Sequence, residues 1–441
     1  MSNRAGANGR IRYRGKKWIQ PQLPVQRQPW AEGKGDSIRK DLYHRGPVGE
    51  ELRALIERDR WKWPKQPIIF LSDMHADTDA FIASLVASGG IKKRGPGDND
   101  FRLTGIGRKA RFIIGGDCID KGPSSIRLLQ SIRMLMDRKA DVRILAGNHD
   151  VRMMLGIRSL GLPSDPRTDH FFIRMGPKVV PFLKEIHDKY LQGKNALRDL
   201  PTSRECRRRL FPPKSWFNEF PRLASWVMPD SGIEREMKRL RTKMERFEDD
   251  VNSAGLTLRT AYAAARKWQQ LFLHPKGEFY WFYDQMRLAH REGSFLFIHA
   301  GLDDRIARII NESGIKPLNQ EFRRQVHKDL FDFYYGPLAN SIRTKYREVD
   351  MPLTRQGVES VRRKGIYAIV HGHLNLPRGQ RIMLRKGMVN FQCDSTMDRN
   401  TRKKEGLKGP AAAATIFLPE GVAMGVSSDY PFIKTFDPQS T

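Results

Sequence analysis

Carboxylate, carboxamide and imidazole side chains recur in short clusters along this chain: Asp73-Met-His75, Gly116-Asp117-Cys-Ile-Asp120, Gly147-Asn148-His149-Asp150, His299-Ala-Gly301 and Gly372-His373. Oxygen and imidazole donors of this kind suit Mn, Fe or Zn better than Ca or Mg, and they leave the choice among the three open. Asp73 and His75 lie two apart, so in an extended segment both point the same way and can chelate one ion. Asp117 follows Gly115-Gly116, where the backbone can approach closely, and is the candidate carboxylate to bridge two ions. Hydrolysis of a phosphate ester needs a nucleophilic hydroxide at neutral pH, relief of charge on the phosphoryl oxygens, and an acid for the leaving oxygen. Two metal ions supply the first two.

Each cluster closes a short apolar run: Pro67–Leu71, Arg111–Ile114, Val142–Leu145, Ser294–Ile298 and Tyr367–Val370. These runs are β-branched or aromatic and end in Gly, Asp or His, which predicts buried strands. Ligands in α/β folds bind outside the carboxyl ends of strands, so donors spread over roughly 300 residues can converge at one sheet edge. Helices are expected from Thr78 to Ser88 and from Ser125 to Arg138 as crossovers between the first three strands.

The 441 residues leave room for a large core with insertions, and 39% hydrophobic with 29% charged residues indicates a soluble chain. No apolar run approaches the ~18 residues that argue for a membrane span. No signal-peptide stretch opens the chain and Ser2 excludes myristoylation, so the expected location is cytoplasmic. Cys118, Cys206 and Cys393 form no CxxC or zinc spacing, which fits a reducing compartment. A net charge of +30 and a pI near 10.2 attract polyanions, nucleic acid among them. The charge is distributed over clusters at Arg10 to Lys17, Arg204 with Arg207-Arg208-Arg209, Lys238 to Arg246, Arg362 to Lys364 and Arg402 to Lys404. Such clusters also occur as solubilising surface.

Residues 1–46, rich in Arg, Gly, Pro and Gln, read as a basic, flexible arm. Residues 47–154 and 291–441 are expected to form the core, and 155–290 a helical cap insertion. Within the insertion Ile233, Met237, Leu240, Met244, Phe247 and Val251 alternate steps of four and three, a helical stripe. A second helix from Leu256 to Leu273 follows the turn-forming Asn252-Ser-Ala-Gly255, predicting a helical hairpin.

At the five clusters the chain resembles the calcineurin-like metallophosphoesterases, and within them the phosphoprotein phosphatase branch with its GDxHG, GDxxDRG, GNHE/D, HAG and GH signatures. All five in order make a specific match, over about residues 67–160 and 294–420. The resemblance implies a β-sandwich of mixed sheets flanked by helices. It also implies that Asp73, His75 and Asp117 hold one metal, while Asp117, Asn148, His299 and His373 hold the other. His149 would be the general acid, oriented by Asp120; an imidazole next to a ligand in the chain, with a nearby carboxylate to keep it charged, fits that role. Where the branch has the Arg of DRG this chain has Lys121, a point charge rather than a bidentate fork, and Ala146 replaces another Arg. Arg152 is a candidate to compensate. Asn375 stands where a broader signature has a second His and reads as a loop residue; His371 stays ambiguous. Leu145-Ala-Gly-Asn-His-Asp150 and Ile298-His-Ala-Gly-Leu302 look most like the Rhizobiales-like subgroup, whose members favour phosphotyrosine-containing targets.

The expected activity is therefore hydrolysis of phosphomonoesters, on phosphorylated Ser, Thr or Tyr of protein, with two divalent ions (Mn, Fe or Zn). The alternatives are a dinucleoside-polyphosphate hydrolase, for which Trp216, Phe217, Trp226, Tyr280, Trp281 and Tyr283 could stack bases, and a nucleic-acid-directed phosphatase or nuclease suggested by the charge. A binding module that has lost catalysis would require missing ligands, and none of the six is missing.

Overall fold

Ile68-Ile-Phe-Leu71 is apolar at every position because both faces of the strand are covered, the pattern of a parallel strand in an α/β layer. In the computed structural model, which describes residues 12–30, 32–34, 48–193 and 197–438, this strand pairs in parallel with Arg111–Ile114, which pairs in parallel with Asp141–Leu145. The helices Thr78–Ala87 and Ser125–Asp137 make the crossovers. Each starts at a side-chain cap: Asp77 accepts from the amide of Ala80, and Ser124 from that of Arg127. Parallel pairing brings the carboxyl ends, and with them the first three clusters, to one edge.

These strands belong to an eight-stranded mixed sheet in the order Arg27–Pro29, Ile433–Phe436, Ala423–Ser427, Ala413–Phe417, Ile68–Leu71, Arg111–Ile114, Asp141–Leu145, Met286–Arg287. A six-stranded sheet runs Glu32–Lys34, Arg381–Arg385, Met388–Gln392, Ala368–His371, Phe295–Ile298, Ala289–Glu292. Its parallel neighbours Phe295–Ile298 and Ala368–His371 deliver the fourth and fifth clusters. Aromatic side chains from the two sheets meet in a common core, where Phe297 packs against Phe70 and Phe417 with ring centroids 5.8 and 5.6 Å apart. This is an α/β protein built on a sandwich of mixed sheets, as the resemblance implied.

The stretch expected to be an arm is folded where it is described. Arg27–Pro29 adds in parallel to Ile433–Phe436 at one edge of the larger sheet, and Glu32–Lys34 adds in parallel to Ile382–Leu384 of the smaller. Trp30 anchors the passage between them, 3% exposed and edge-on to Phe391 at 5.6 Å. The rest of the expected arm, residues 1–11, 31 and 35–46, lies outside the described residues.

The chain divides into two units. The first comprises Met1–Asn148, Arg287–Gln320 and Asn340–Thr441 and contains both sheets; the second comprises His149–Met286 and Glu321–Ala339. The second unit is helical among its described residues, and it takes in a late segment, 321–339, beyond the expected 155–290 insertion. Its longest helices are Asp230–Ser253 and Leu258–Leu273. They are joined at Gly255, whose φ of +74° no β-carbon-bearing residue adopts freely. Of the predicted stripe, Ile233, Leu240, Phe247 and Val251 are buried and the two methionines are half-buried. Among the described residues no helix is long and apolar enough to cross a membrane.

Candidate metal centre

Asp73, His75, Asp117 and His373 all take left-handed backbone conformations, with φ of +58°, +42°, +54° and +70°. Residues other than glycine rarely hold such values unless the surrounding structure enforces them, and they gather at functional sites. Two glycines make the crowding possible. A β-carbon at Gly372 would fall 2.0 Å from an oxygen of Asp73, and one at Gly116 would meet the ring of His299 at 2.9 Å.

The donors form a closed circuit at the strand ends of the first unit. His75 Nε2 lies 4.0 Å from Asp73 Oδ1 and 3.7 Å from Asp117 Oδ2. The other oxygen of Asp117 is 3.6 Å from His299 Nε2. His299 Nε2 in turn is 3.2 Å from Asn148 Oδ1, and its ring centroid is 5.2 Å from that of His373. The amide of His373 donates to Asp73 Oδ2 at 3.0 Å, completing the circuit. Ligand atoms of Asp117, His299 and His373 all lie within 4.8 Å of one another. All six side chains expected as ligands are therefore brought together, and Asp117 faces an imidazole with each oxygen.

The imidazoles are oriented by backbone carbonyls. His299 Nδ1 is 2.8 Å from the carbonyl of Gly115, and His373 Nε2 is 3.2 Å from that of Arg343. A carbonyl only accepts, so each of these nitrogens carries a hydrogen, and Nε2 of His299, 3.6 Å from Asp117, and Nδ1 of His373 are the nitrogens that could ligate a metal. Burial, with His299 and Lys345 adding to it, holds His373 well below the usual imidazole range, so it is the neutral form that a metal binds. Burial pushes the Asp73 carboxyl up, and the adjacent charge of Asp117 pushes in the same direction, while His299 and the Ser72 hydroxyl oppose it. Two carboxylates, each 2% exposed, gathered with three imidazoles make a cavity whose donors suit a bound cation. The donor set fits divalent metal ions.

The remaining expected residues divide between the units. Lys121 Nζ stands 2.8 Å from His75 Nε2, its amide donates to Asp120 Oδ1 at 2.7 Å, and its carbonyl accepts from Asn400 Nδ2. Asp120 is buried and takes a left-handed φ of +77°. Asn148 is the last residue of the first unit and His149 the first of the second, where Arg152 Nη2 approaches its Nδ1 at 3.2 Å. His371 is fully buried one residue before Gly372, is pushed down to about 3 by burial, and is not among the clustered donors. Asn375 has a φ of +48°, and its amide donates to Asp394 Oδ2 at 2.6 Å, the geometry of a loop residue.

Sequence reasoning did not single out Ser72, whose hydroxyl donates to Asp73, or Asp394, which burial and the Asp73 charge push up to about 7. Asp394 was within reach of the same criterion that found the others: it follows the buried strand Met388–Gln392.

Residues 66–249 match the model of the calcineurin-like phosphoesterase family, a span that ends before His299 and His373. No curated protein matches the sequence. Among solved structures the chain is similar to a cold-active protein tyrosine phosphatase, at 14% identity and a TM-score of 0.44, covering 93% of this chain and 81% of that one. It is similar also to a cold-active protein-tyrosine phosphatase of a psychrophilic Shewanella species, with 13% identity, a TM-score of 0.40 and coverage of 93% and 83%. A protein serine/threonine phosphatase from Saccharomyces cerevisiae gives 12% identity and a TM-score of 0.35, with coverage of 88% and 87%.

Proposed function

We infer that this chain, which carries a calcineurin-like phosphoesterase domain, hydrolyses phosphomonoesters of phosphorylated protein with two divalent metal ions. The observation that carries the reading is Asp117, whose two oxygens face His75 and His299 at 3.7 and 3.6 Å in a closed ring of six donors. Asp73, His75 and Asp117 are the ligands of one ion; Asp117, Asn148, His299 and His373 are those of the other. When bound, such ions supply positive charge to the phosphoryl oxygens and lower the pKa of water. The donor types favour Mn, Fe or Zn.

The chain's own residues do the rest. Gly115 and Arg343 fix through their carbonyls which nitrogen His299 and His373 present. Lys121 brings an ammonium group to the His75 side of the centre, where it can meet a phosphoryl oxygen. His149, one peptide bond from Asn148, is the proton donor to the leaving oxygen in this reading, with Asp120 as its orienting partner and Arg152 beside its ring. Cys118, Cys206 and Cys393 are buried and outside any disulfide, which fits a reducing compartment such as the cytoplasm.

The test is steady-state hydrolysis with added Mn of phosphotyrosine and phosphothreonine peptides, diadenosine tetraphosphate, and oligonucleotides with and without terminal phosphate. Selective release from the peptides is expected, and Asp117→Asn should lower it by about a thousandfold, the several kcal/mol that metal-assisted charge relief is worth. Dominant action on the dinucleotide or the oligonucleotides would replace the phosphoprotein reading, and an unimpaired Asp117→Asn would refute the site.

A further inference from the structure

The basic cluster that the sequence shows at Arg204 and Arg207–Arg209 takes no part in the chemistry above. It lines a cleft within the second unit of about 590 Å³, together with Lys214 and a single carboxylate, Asp169. The helix Ser203–Leu210 supplies the arginines, buries Cys206 and Leu210, and leaves all four arginines exposed.

The cations are not equally engaged. Arg208 and Arg209 both donate to Glu205. Arg207 pairs with Glu248, and its guanidinium lies over the Phe211 ring at 4.5 Å. Arg204 and Lys214 have no side-chain hydrogen bond or ion pair among the described residues. Asp169 forms no ion pair with either among the described residues; its carboxylate accepts from the Ser164 hydroxyl at 2.8 Å and the Asp165 amide at 3.0 Å. Two unpaired cations thus stand at a cleft lined by five basic side chains and a single carboxylate, which pairs with neither. Apolar groups complete the wall: Leu162, 45% exposed, with Pro212, Pro213 and the buried rings of Phe172 and Phe211.

We propose that this cleft is a docking site for an acidic peptide segment, one that alternates carboxylate or phosphorylated side chains with apolar ones. Charge complementarity selects an anion, and the volume and the apolar wall exceed what a lone phosphate ion would fill. A nucleic acid would be held by an extended basic track with exposed rings for its bases to stack on. Here the walls are concave, and the two phenylalanines are buried, one of them capped by Arg207. The site is independent of hydrolysis, so its test reads binding alone.

The probe is a fluorescein-labelled peptide of repeated Glu-Asp-Glu-Leu, followed by fluorescence anisotropy on the full chain against a labelled single-stranded oligonucleotide of similar length. Arg204→Glu combined with Lys214→Glu should weaken peptide binding by about tenfold or more, as reversing contacting charges does. Lys403→Glu combined with Lys404→Glu, at two exposed positions in the first unit, removes the same net charge and should change it less than about twofold if local contact governs affinity. Circular dichroism melting checks that both pairs fold. Equal weakening by both pairs would overturn the proposal in favour of the general field of a chain with a net charge of +30. Tighter binding of the oligonucleotide, lost on the Arg204 and Lys214 changes, would overturn it in favour of nucleic acid.

Discussion

At the scale of single residues, the centre depends on side chains that touch the donors as much as on the donors. Ser72 donates its hydroxyl to the Asp73 oxygen that the His373 amide also reaches, so one carboxylate oxygen is held from two sides. The other oxygen, 4.0 Å from His75 Nε2, is left toward the cavity. Ser72→Ala should therefore preserve the fold and weaken Mn binding by about 10–100-fold, the usual effect of removing such a support. Calorimetric titration of the metal-free protein with Mn checks this, and unchanged affinity would mean that the His373 amide alone orients Asp73. Gly372 is the complementary case, since any side chain there would collide with Asp73 and Ser72 together.

At the scale of elements, the second unit is held by a buried polar chain as well as by its apolar stripe. Arg174, at the end of the short helix Phe171–Arg174, forms a two-pronged ion pair with Glu236 of Asp230–Ser253, the Nη2 contact measuring 3.0 Å. The hydroxyl of Tyr335, from Leu330–Tyr335, donates to the same carboxylate at 3.3 Å and lies 2.7 Å from His170 Nε2. Late-sequence residues are thereby tied to an element a hundred positions earlier. Glu236→Ala leaves a buried guanidinium without its partner and should cost about 3–5 kcal/mol. Thermal unfolding gives the magnitude, and faster hydrogen exchange in both Asp230–Ser253 and Leu330–Tyr335 gives the location. A loss below about 1 kcal/mol would show that water replaces the carboxylate.

At the scale of the whole molecule, charge sets the response to pH. Lys434 is buried and Lys243 half-buried, and desolvation pushes each from an ordinary 10.5 down to about 7. Neighbouring Arg174 and Arg152 add to the effect at Lys243, and Arg381 at Lys434. Between pH 7 and 10.5 the unfolded chain binds the protons that these folded lysines release. Stability therefore rises with pH through that window, and below about 7 the cost of burying two ammonium groups is present in full. The net charge of +30 works in the same direction, because its self-repulsion falls as lysines lose protons. Denaturant unfolding at pH 6, 7.5 and 9 should show stability increasing by on the order of a few kcal/mol. A flat or falling profile would mean that both lysines stay charged and hydrated in the fold.

Patterns that repeat within one element were legible in the sequence. The runs at Pro67–Leu71, Arg111–Ile114 and Tyr367–Val370 read as strands because a strand buried on both faces has no polar position, and the clusters that follow them hold the candidate donors. The hairpin at Asn252 to Gly255 was legible because helical periodicity and a positive-φ glycine are local signals. What crosses between distant elements was decided by tertiary structure. The three-residue edge strands Arg27–Pro29 and Glu32–Lys34 carry no period of their own and exist only because a sheet edge offers them partners. Ser72 and Asp394 gained their places beside Asp73 from strand register, and residues 321–339 joined the second unit through contacts such as Tyr335 to Glu236. Local chemistry named the candidate donors; closure of the sheets over some 300 residues of chain decided which atom of each faces which, because only that closure brings Asp73 and His373 within hydrogen-bonding distance.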